Sequence, residues 1–165
     1  MNNAAAETST PGARIAETRS ATYELEVEIE APADAVWDAL IHRPGAWWLP
    51  DFHCLGEGSE IRFEPRAGGQ FIESHPQRGS LLWFTVHWFR PEDRAIHFYG
   101  HASPEWAGPA TSMLRLRVVD TPTGSKLELQ DAIFGVVTDG HLASMQEGWM
   151  ILFRDGLKKL VEAGG

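Results

Sequence analysis

The sequence predicts an α+β domain in which a curved antiparallel sheet wraps around one long C-terminal helix. Three observations predict it. Residues 22–30 alternate, with Tyr23, Leu25, Val27 and Ile29 on one face and Glu24, Glu26, Glu28 and Glu30 on the other, the pattern of a half-buried strand. About six further strand-like runs follow one another between residues 60 and 134, and consecutive strands favour antiparallel hairpins. Leu142, Met145, Trp149, Leu152, Phe153, Leu157 and Leu160 then recur at spacings of three and four, an apolar stripe that predicts a helix from Thr138 to Glu162 with that face buried.

The elements follow in order. Residues 1–20 are Ala, Thr, Ser, Asn and charge around Pro11-Gly12 and read as a disordered tail, so the domain is expected over 21–165. After the first strand, Pro32 suits a first helical turn, where its missing N–H costs nothing. Val36, Trp37, Leu40 and Ile41 give Pro32–His42 one apolar face. Pro44-Gly45 stops that helix, and Trp47-Trp48-Leu49-Pro50 reads as a second short helix or a loop. Strands are expected at Glu60–Glu64, Gln70–His75, Ser80–Arg90, Arg94–His101, Thr111–Asp120 and Lys126–Phe134. Gly68-Gly69, Pro91-Glu92-Asp93 and Pro122-Thr123-Gly124 supply turns, and residues 102–110 a loop. The sheet thus has about six to seven strands, with one or two short helices after the first. Lys158 and Lys159 suit the negative end of the last helix, and Gly164-Gly165 ends it.

Composition narrows the function. The chain has 165 residues, enough for one substantial core, and a net charge of −9. That charge argues against a nucleic-acid partner, whose phosphates need clustered Lys and Arg, and against docking on an anionic membrane. Cys54 is the one cysteine, so no intrachain disulfide forms, in keeping with a reducing compartment. No apolar run reaches the length of a membrane helix, and the N-terminus carries no signal-peptide core, so a cytoplasmic location is expected. Seven Trp and eight Phe supply both a core and aromatic walls for a pocket.

Four strings, taken in order, carry a family resemblance: Ala31-Pro32 with Val36-Trp37-Asp38-Ala39-Leu40, then Trp47-Trp48, then Gly68-Gly69-Gln70-Phe71, then Glu147-Gly148-Trp149. They resemble the START-like helix-grip superfamily, also called SRPBCC, and within it the branch related to the activator of the heat-shock chaperone ATPase. The resemblance covers residues 22–162 and implies a helix-grip fold with an apolar cavity between sheet and last helix. Members include lipid carriers, aromatic-polyketide cyclases and chaperone activators. The chain lacks the additional N-terminal domain of the chaperone activator, which weakens a chaperone reading.

Candidate site residues follow from strand phase. If Phe71 faces the core, Glu73 does too; if Leu127 and Leu129 do, so does Asp131. A buried carboxylate is costly unless paired, so these two suggest a polar spot inside a cavity. Bulged or frayed strands, or carboxylates at the sheet rim, would explain them equally. The long hairpin is ambiguous. Trp83, Thr85, His87 and Phe89 share one face of residues 80–90, and Leu82, Phe84, Val86 and Trp88 the other; its partner carries His97 and Tyr99 opposite Ile96 and Phe98. The family phase places Trp83, His87, His97 and Tyr99 inward. It leaves Phe84, Val86, Trp88 and Phe98 as an outer patch that suggests a homodimer interface. The opposite phase gives a drier core and no patch. Trp47 and Trp48 are expected at the cavity mouth, to stack on a ligand or simply fill the core, and Met145 and Trp149 line it from the helix. Gly148 and Gly156 leave gaps in that helix, for a ligand or for close approach of a strand.

The seven histidines form no His-Glu-x-x-His pair, and no cysteine pair offers a structural zinc site, so no metal site is assigned. No nucleophile elbow or phosphate loop occurs, and no cofactor is implied. The expectation is binding of a small apolar or aromatic molecule. The alternatives are a polyketide-cyclase-like enzyme working through an inward carboxylate or histidine, and a chaperone-associated interaction domain.

Overall fold

The computed structural model describes residue 12, residues 15–106 and residues 108–164. Seven antiparallel strands form one sheet: β1 Arg19–Ile29, β2 Glu60–Phe63, β3 Gln70–His75, β4 Gly79–Arg90, β5 Ala95–Ala102, β6 Ala110–Thr121 and β7 Gly124–Gly135. Their order is β1-β7-β6-β5-β4-β3-β2, a meander from β2 to β7 closed by β1 on the far edge. The expected tail lies mostly outside the described residues. Its last two positions, Arg19 and Ser20, are already strand, paired with Gly135 and Phe134.

After β1 come α1, Ala33–His42, and α2, Pro44–Trp47. Pro32 precedes α1 rather than starting it, and Ala33, Val36, Ala39, Leu40 and Ile41 are its buried face. A 3₁₀ turn, Pro50–Phe52, then leads into the loop 53–59.

The C-terminal helix starts at α3, Asp139–Ile151, where the Thr138 side chain caps the His141 N–H. It continues as a π-helical stretch, Leu152–Lys158, and one α-helical turn, α4, Lys159–Glu162. The wider π turns bring Leu152, Phe153, Gly156 and Leu157 all inward. Gly156 is required there: a Cβ would sit 2.1 Å from the Trp47 carbonyl oxygen. This end of the helix is tied to the end of β1, where Lys158 donates to the Glu28 carbonyl and the Glu30 N–H donates to Glu162.

The expected burial of the whole stripe holds for only half of the helix. Leu152, Phe153, Leu157 and Val161 are buried, but no residue of α3 is. Leu142, Met145 and Trp149 are half-buried because α3 stands off the sheet.

Candidate ligand crevice

The inward phase of β3 and β7 places both Glu73 and Asp131 inside, each with none of its surface exposed. Their surroundings differ. Glu73 Oε1 accepts from the Leu55 N–H at 2.7 Å and the Ser59 hydroxyl at 2.7 Å; Oε2 accepts from the Cys54 N–H at 3.1 Å and the Trp83 indole at 3.3 Å. The carboxylate thereby folds the 53–59 loop against β3. Burial pushes its pKa up, but the four hydrogen bonds to the charged form outweigh that and hold it below the ordinary value. Glu73 is saturated, and it lines none of the spaces described below. Its expected place in the cavity is therefore corrected to a structural one beneath the loop.

Asp131 has fewer partners. β7 lies between β1 and β6, so Tyr23 and Leu114 sit opposite Asp131 in register. The Tyr23 hydroxyl donates to Oδ2 at 3.0 Å, and the Ser112 hydroxyl donates to Oδ1 at 2.7 Å. Burial, only partly offset by these bonds, pushes the Asp131 carboxyl up. Burial, and then the neighbouring Asp131 charge, pushes Tyr23 far above its ordinary value.

Asp131 faces an opening between α3 and the sheet. A space of about 340 Å³ is walled by Trp83, Phe84, Trp106, Met145, Trp149 and Asp131. It adjoins one of about 270 Å³, bounded by Trp48, Phe52, Gly148 and Leu152 and sharing Trp83, Phe84, Met145 and Trp149. A third, of about 200 Å³, reaches Ile133, Val137, His141 and Ser144 and shares Ala102, Trp106, Ser112 and Met145. Met145 borders all three, which together form a crevice along the inner side of α3. Deeper in, the core keeps a void of only about 20 Å³, room for about one water.

The hairpin follows neither single phase, because β4 carries two bulges. Phe71 pairs with Phe84 but Ile72 with Leu82, leaving Trp83 as an extra residue. Val86 pairs with Phe98 but Trp88 with His97, leaving His87 extra. Trp83 and Phe84 consequently both border the crevice, and Val86 and Phe98 are core. A Cβ at Gly100 would lie 2.7 Å from both the Phe84 ring and the Trp83 carbonyl oxygen, so this crossing needs a glycine.

The inward placement of His87, His97 and Tyr99 is overturned. All three border a groove of about 660 Å³ on the outer face with Thr22, Met113, Arg115 and Gln130. Burial, then the charges of Arg115, Arg90 and His87, lowers the His97 pKa. Phe84, Val86 and Phe98 turn inside and leave the patch on which a homodimer was expected, while Trp88, Tyr99 and Met113 stay exposed on the outer face. Among the described residues, no three His, Cys, Asp or Glu side chains converge to hold a metal, and no helix is long and apolar enough to cross a membrane.

Trp47 and Trp48 are buried, at 2% and 4% exposure, rather than set at a mouth. Trp47 packs on Phe71 and Phe153; Trp48 packs on Phe71, Trp83 and Trp149 and donates to the Phe52 carbonyl. Phe71 belongs to this core cluster, and of these three only Trp48 borders the crevice. Trp83 and Trp149 do line it, and the half-exposed Trp106 stacks on Trp83 at 5.8 Å. Tyr23, Ser112, Trp106 and His141 were not anticipated. Tyr23 shares the inward phase of β1, so pairing β1 with β7 would have found it; Trp106 sits in a loop without periodicity.

No family model matches the chain, and no curated protein does at the sequence level. Solved structures do. An uncharacterised protein from Rhizobium leguminosarum superposes with a TM-score of 0.67 at 16% identity, over 89% of this chain and 97% of that one. Ara h 8.0201 gives 0.66 at 13% identity, over 88% and 99%. A Thalictrum norcoclaurine synthase gives 0.54 at 17% identity, over 89% and 97%. At these identities the likeness speaks for architecture alone. With the sheet order and the C-terminal helix, it establishes that this chain has the helix-grip fold.

Proposed function

We propose that the chain binds a small apolar or aromatic molecule in the crevice between α3 and the sheet. One observation carries this. The N-terminal half of the C-terminal helix buries no residue, and its inner side faces adjoining spaces walled by Trp83, Phe84, Trp106, Met145 and Trp149. Apolar surface held off its packing partner gains free energy when a ligand fills the gap. Among the fold neighbours, the norcoclaurine synthase is in complex with a transition-state analogue.

The test is titration with a neutral fluorescent probe, N-phenyl-1-naphthylamine. Wild type is expected to bind it and enhance its emission. Gly148→Leu fills the space beside Phe52 and is expected to weaken binding at least tenfold without loss of melting temperature. No probe binding to wild type, or equal binding to the variant, refutes the reading.

A second reading, acid–base catalysis of the cyclase kind, rests on Asp131, the carboxyl that borders the crevice. Its signature is turnover lost in Asp131→Asn with binding retained. The resemblance to the chaperone-activator branch rests on sequence strings, and recovery of a chaperone in a pull-down is the test of whether it extends to function.

A further inference from the structure

Asp131 is a buried carboxyl with no cation. Its oxygens accept from two neutral hydroxyls, Tyr23 and Ser112, and from the Ala132 N–H, and among the described residues no Lys, Arg or His forms an ion pair with it. A carboxylate has about four acceptor sites, so it retains capacity that Glu73 does not. No Lys or Arg borders any of the three spaces of the crevice. A buried charge left in this condition either takes up a proton or waits for a counter-ion.

The walls around it suit a cation. Trp83, Phe84, Trp106 and Trp149 border the same space as Asp131, and the faces of such rings attract ammonium groups. On the adjoining space, the His141 Nδ1 is buried without a hydrogen-bond partner among the described residues, and in the Nε2–H tautomer it can accept. The net charge of −9 draws cations towards the protein and repels anions.

We propose that the ligand is an organic cation: an aromatic or otherwise apolar molecule carrying a protonated amine, its ammonium paired with Asp131 and its apolar body between the rings of Trp83, Phe84, Trp106 and Trp149. The proposal rests on the crevice reading above and adds the ligand's charge. An ammonium donates to the acceptor capacity that Asp131 retains. A neutral ligand of the same shape leaves Asp131 uncompensated, and a carboxylate ligand is repelled by it.

The test is calorimetric titration of the full chain at neutral pH with arylalkylamines, each against its neutral isostere: tryptamine against 3-propylindole, and 2-phenylethylamine against propylbenzene. Wild type is expected to bind the amines at least tenfold tighter. Asp131→Asn keeps the shape and removes the charge; its preference is expected to fall to about twofold or less, with circular dichroism confirming the fold. The comparison of amine with isostere on wild type stands even if the variant does not fold. Neutral isosteres binding as tightly as amines, or a preference that survives Asp131→Asn, overturns the cation assignment and leaves the crevice reading intact. If neither class binds, the crevice reading itself fails, and this proposal with it.

Discussion

Replacing Glu73 by Gln tests whether this carboxylate is a structural element of the 53–59 loop. Gln is nearly isosteric, so no cavity opens and the change isolates hydrogen bonding. In the wild type each oxygen accepts from two donors. The amide supplies one oxygen and one NH₂. Placing the NH₂ at the Oε2 position sets it against the Cys54 N–H and the Trp83 indole, two donors that cannot turn. Placing it at the Oε1 position is less costly, because the Ser59 hydroxyl can rotate to accept, but the Leu55 N–H is then orphaned. One orphaned buried donor costs about 1–3 kcal/mol. The bonds that remain lose their charge and roughly half their strength, about 0.5–1 kcal/mol each. The expected loss is about 3 kcal/mol.

Urea unfolding followed by tryptophan emission is the assay. Glu73 sits below its ordinary pKa when folded. Its stabilisation is therefore complete above the unfolded value, about 4.3 for a glutamate, and is lost as pH falls through the folded value. The gap between wild type and Glu73→Gln should accordingly be full at pH 7 and shrink below about pH 4. A loss under about 1 kcal/mol at pH 7, or a gap independent of pH, would refute the assignment.

Asp131→Asn should behave in the opposite sense. The Asp131 carboxyl is raised in the folded state, so its contribution is intact below the unfolded value and is lost as pH rises through the folded one. The variant should match wild type near pH 4 and exceed it by about 1 kcal/mol at pH 8 in the same assay. Gly156→Ala should cost about 3 kcal/mol, because the new Cβ meets backbone at Trp47 and the helix must shift; a melting temperature equal to wild type would contradict that contact. Amide exchange should be faster across Asp139–Ile151 than across Leu152–Glu162, and a bound ligand should slow the former selectively; uniform protection along the helix would show that α3 is not held off the sheet.

The architecture was legible because its signals are periodic. The alternation of β1, the Gly and Pro turns and the i, i+3, i+4 stripe of the last helix each reflect one buried face, and the strand edges differ from expectation by one to three residues at most termini. Two features broke periodicity and were not legible. The bulges at Trp83 and His87 reset the phase of β4 twice, so assigning one face to the whole strand misplaced part of the hairpin whichever face was chosen. The Leu152–Lys158 stretch is π-helical, and the upstream half of the stripe stands clear of the core. Of the site, the inward phase of Glu73 and Asp131 could be read, since period two is strict in unbulged strands. Which of them faced a cavity could not, because that depends on the 53–59 loop reaching back over β3 to Glu73 while Asp131 borders the crevice.

The two carboxyls divide the work of a polar interior. Both are fully buried, and a buried carboxylate is stable only when donors match its charge. Glu73 receives four from within the chain, two of them backbone groups with no freedom to leave. Its burial therefore adds stability and fixes the loop. Asp131 receives three, the Ala132 N–H and two rotatable hydroxyls that can turn from donating to accepting if it takes up a proton. An arrangement optimised for stability alone would close the helix onto the sheet there and place an apolar side chain at 131. Instead α3 remains open over an under-satisfied carboxyl ringed by indoles. The stability forgone at that point is the free energy that a ligand able to supply both apolar surface and a hydrogen-bond donor would recover on binding.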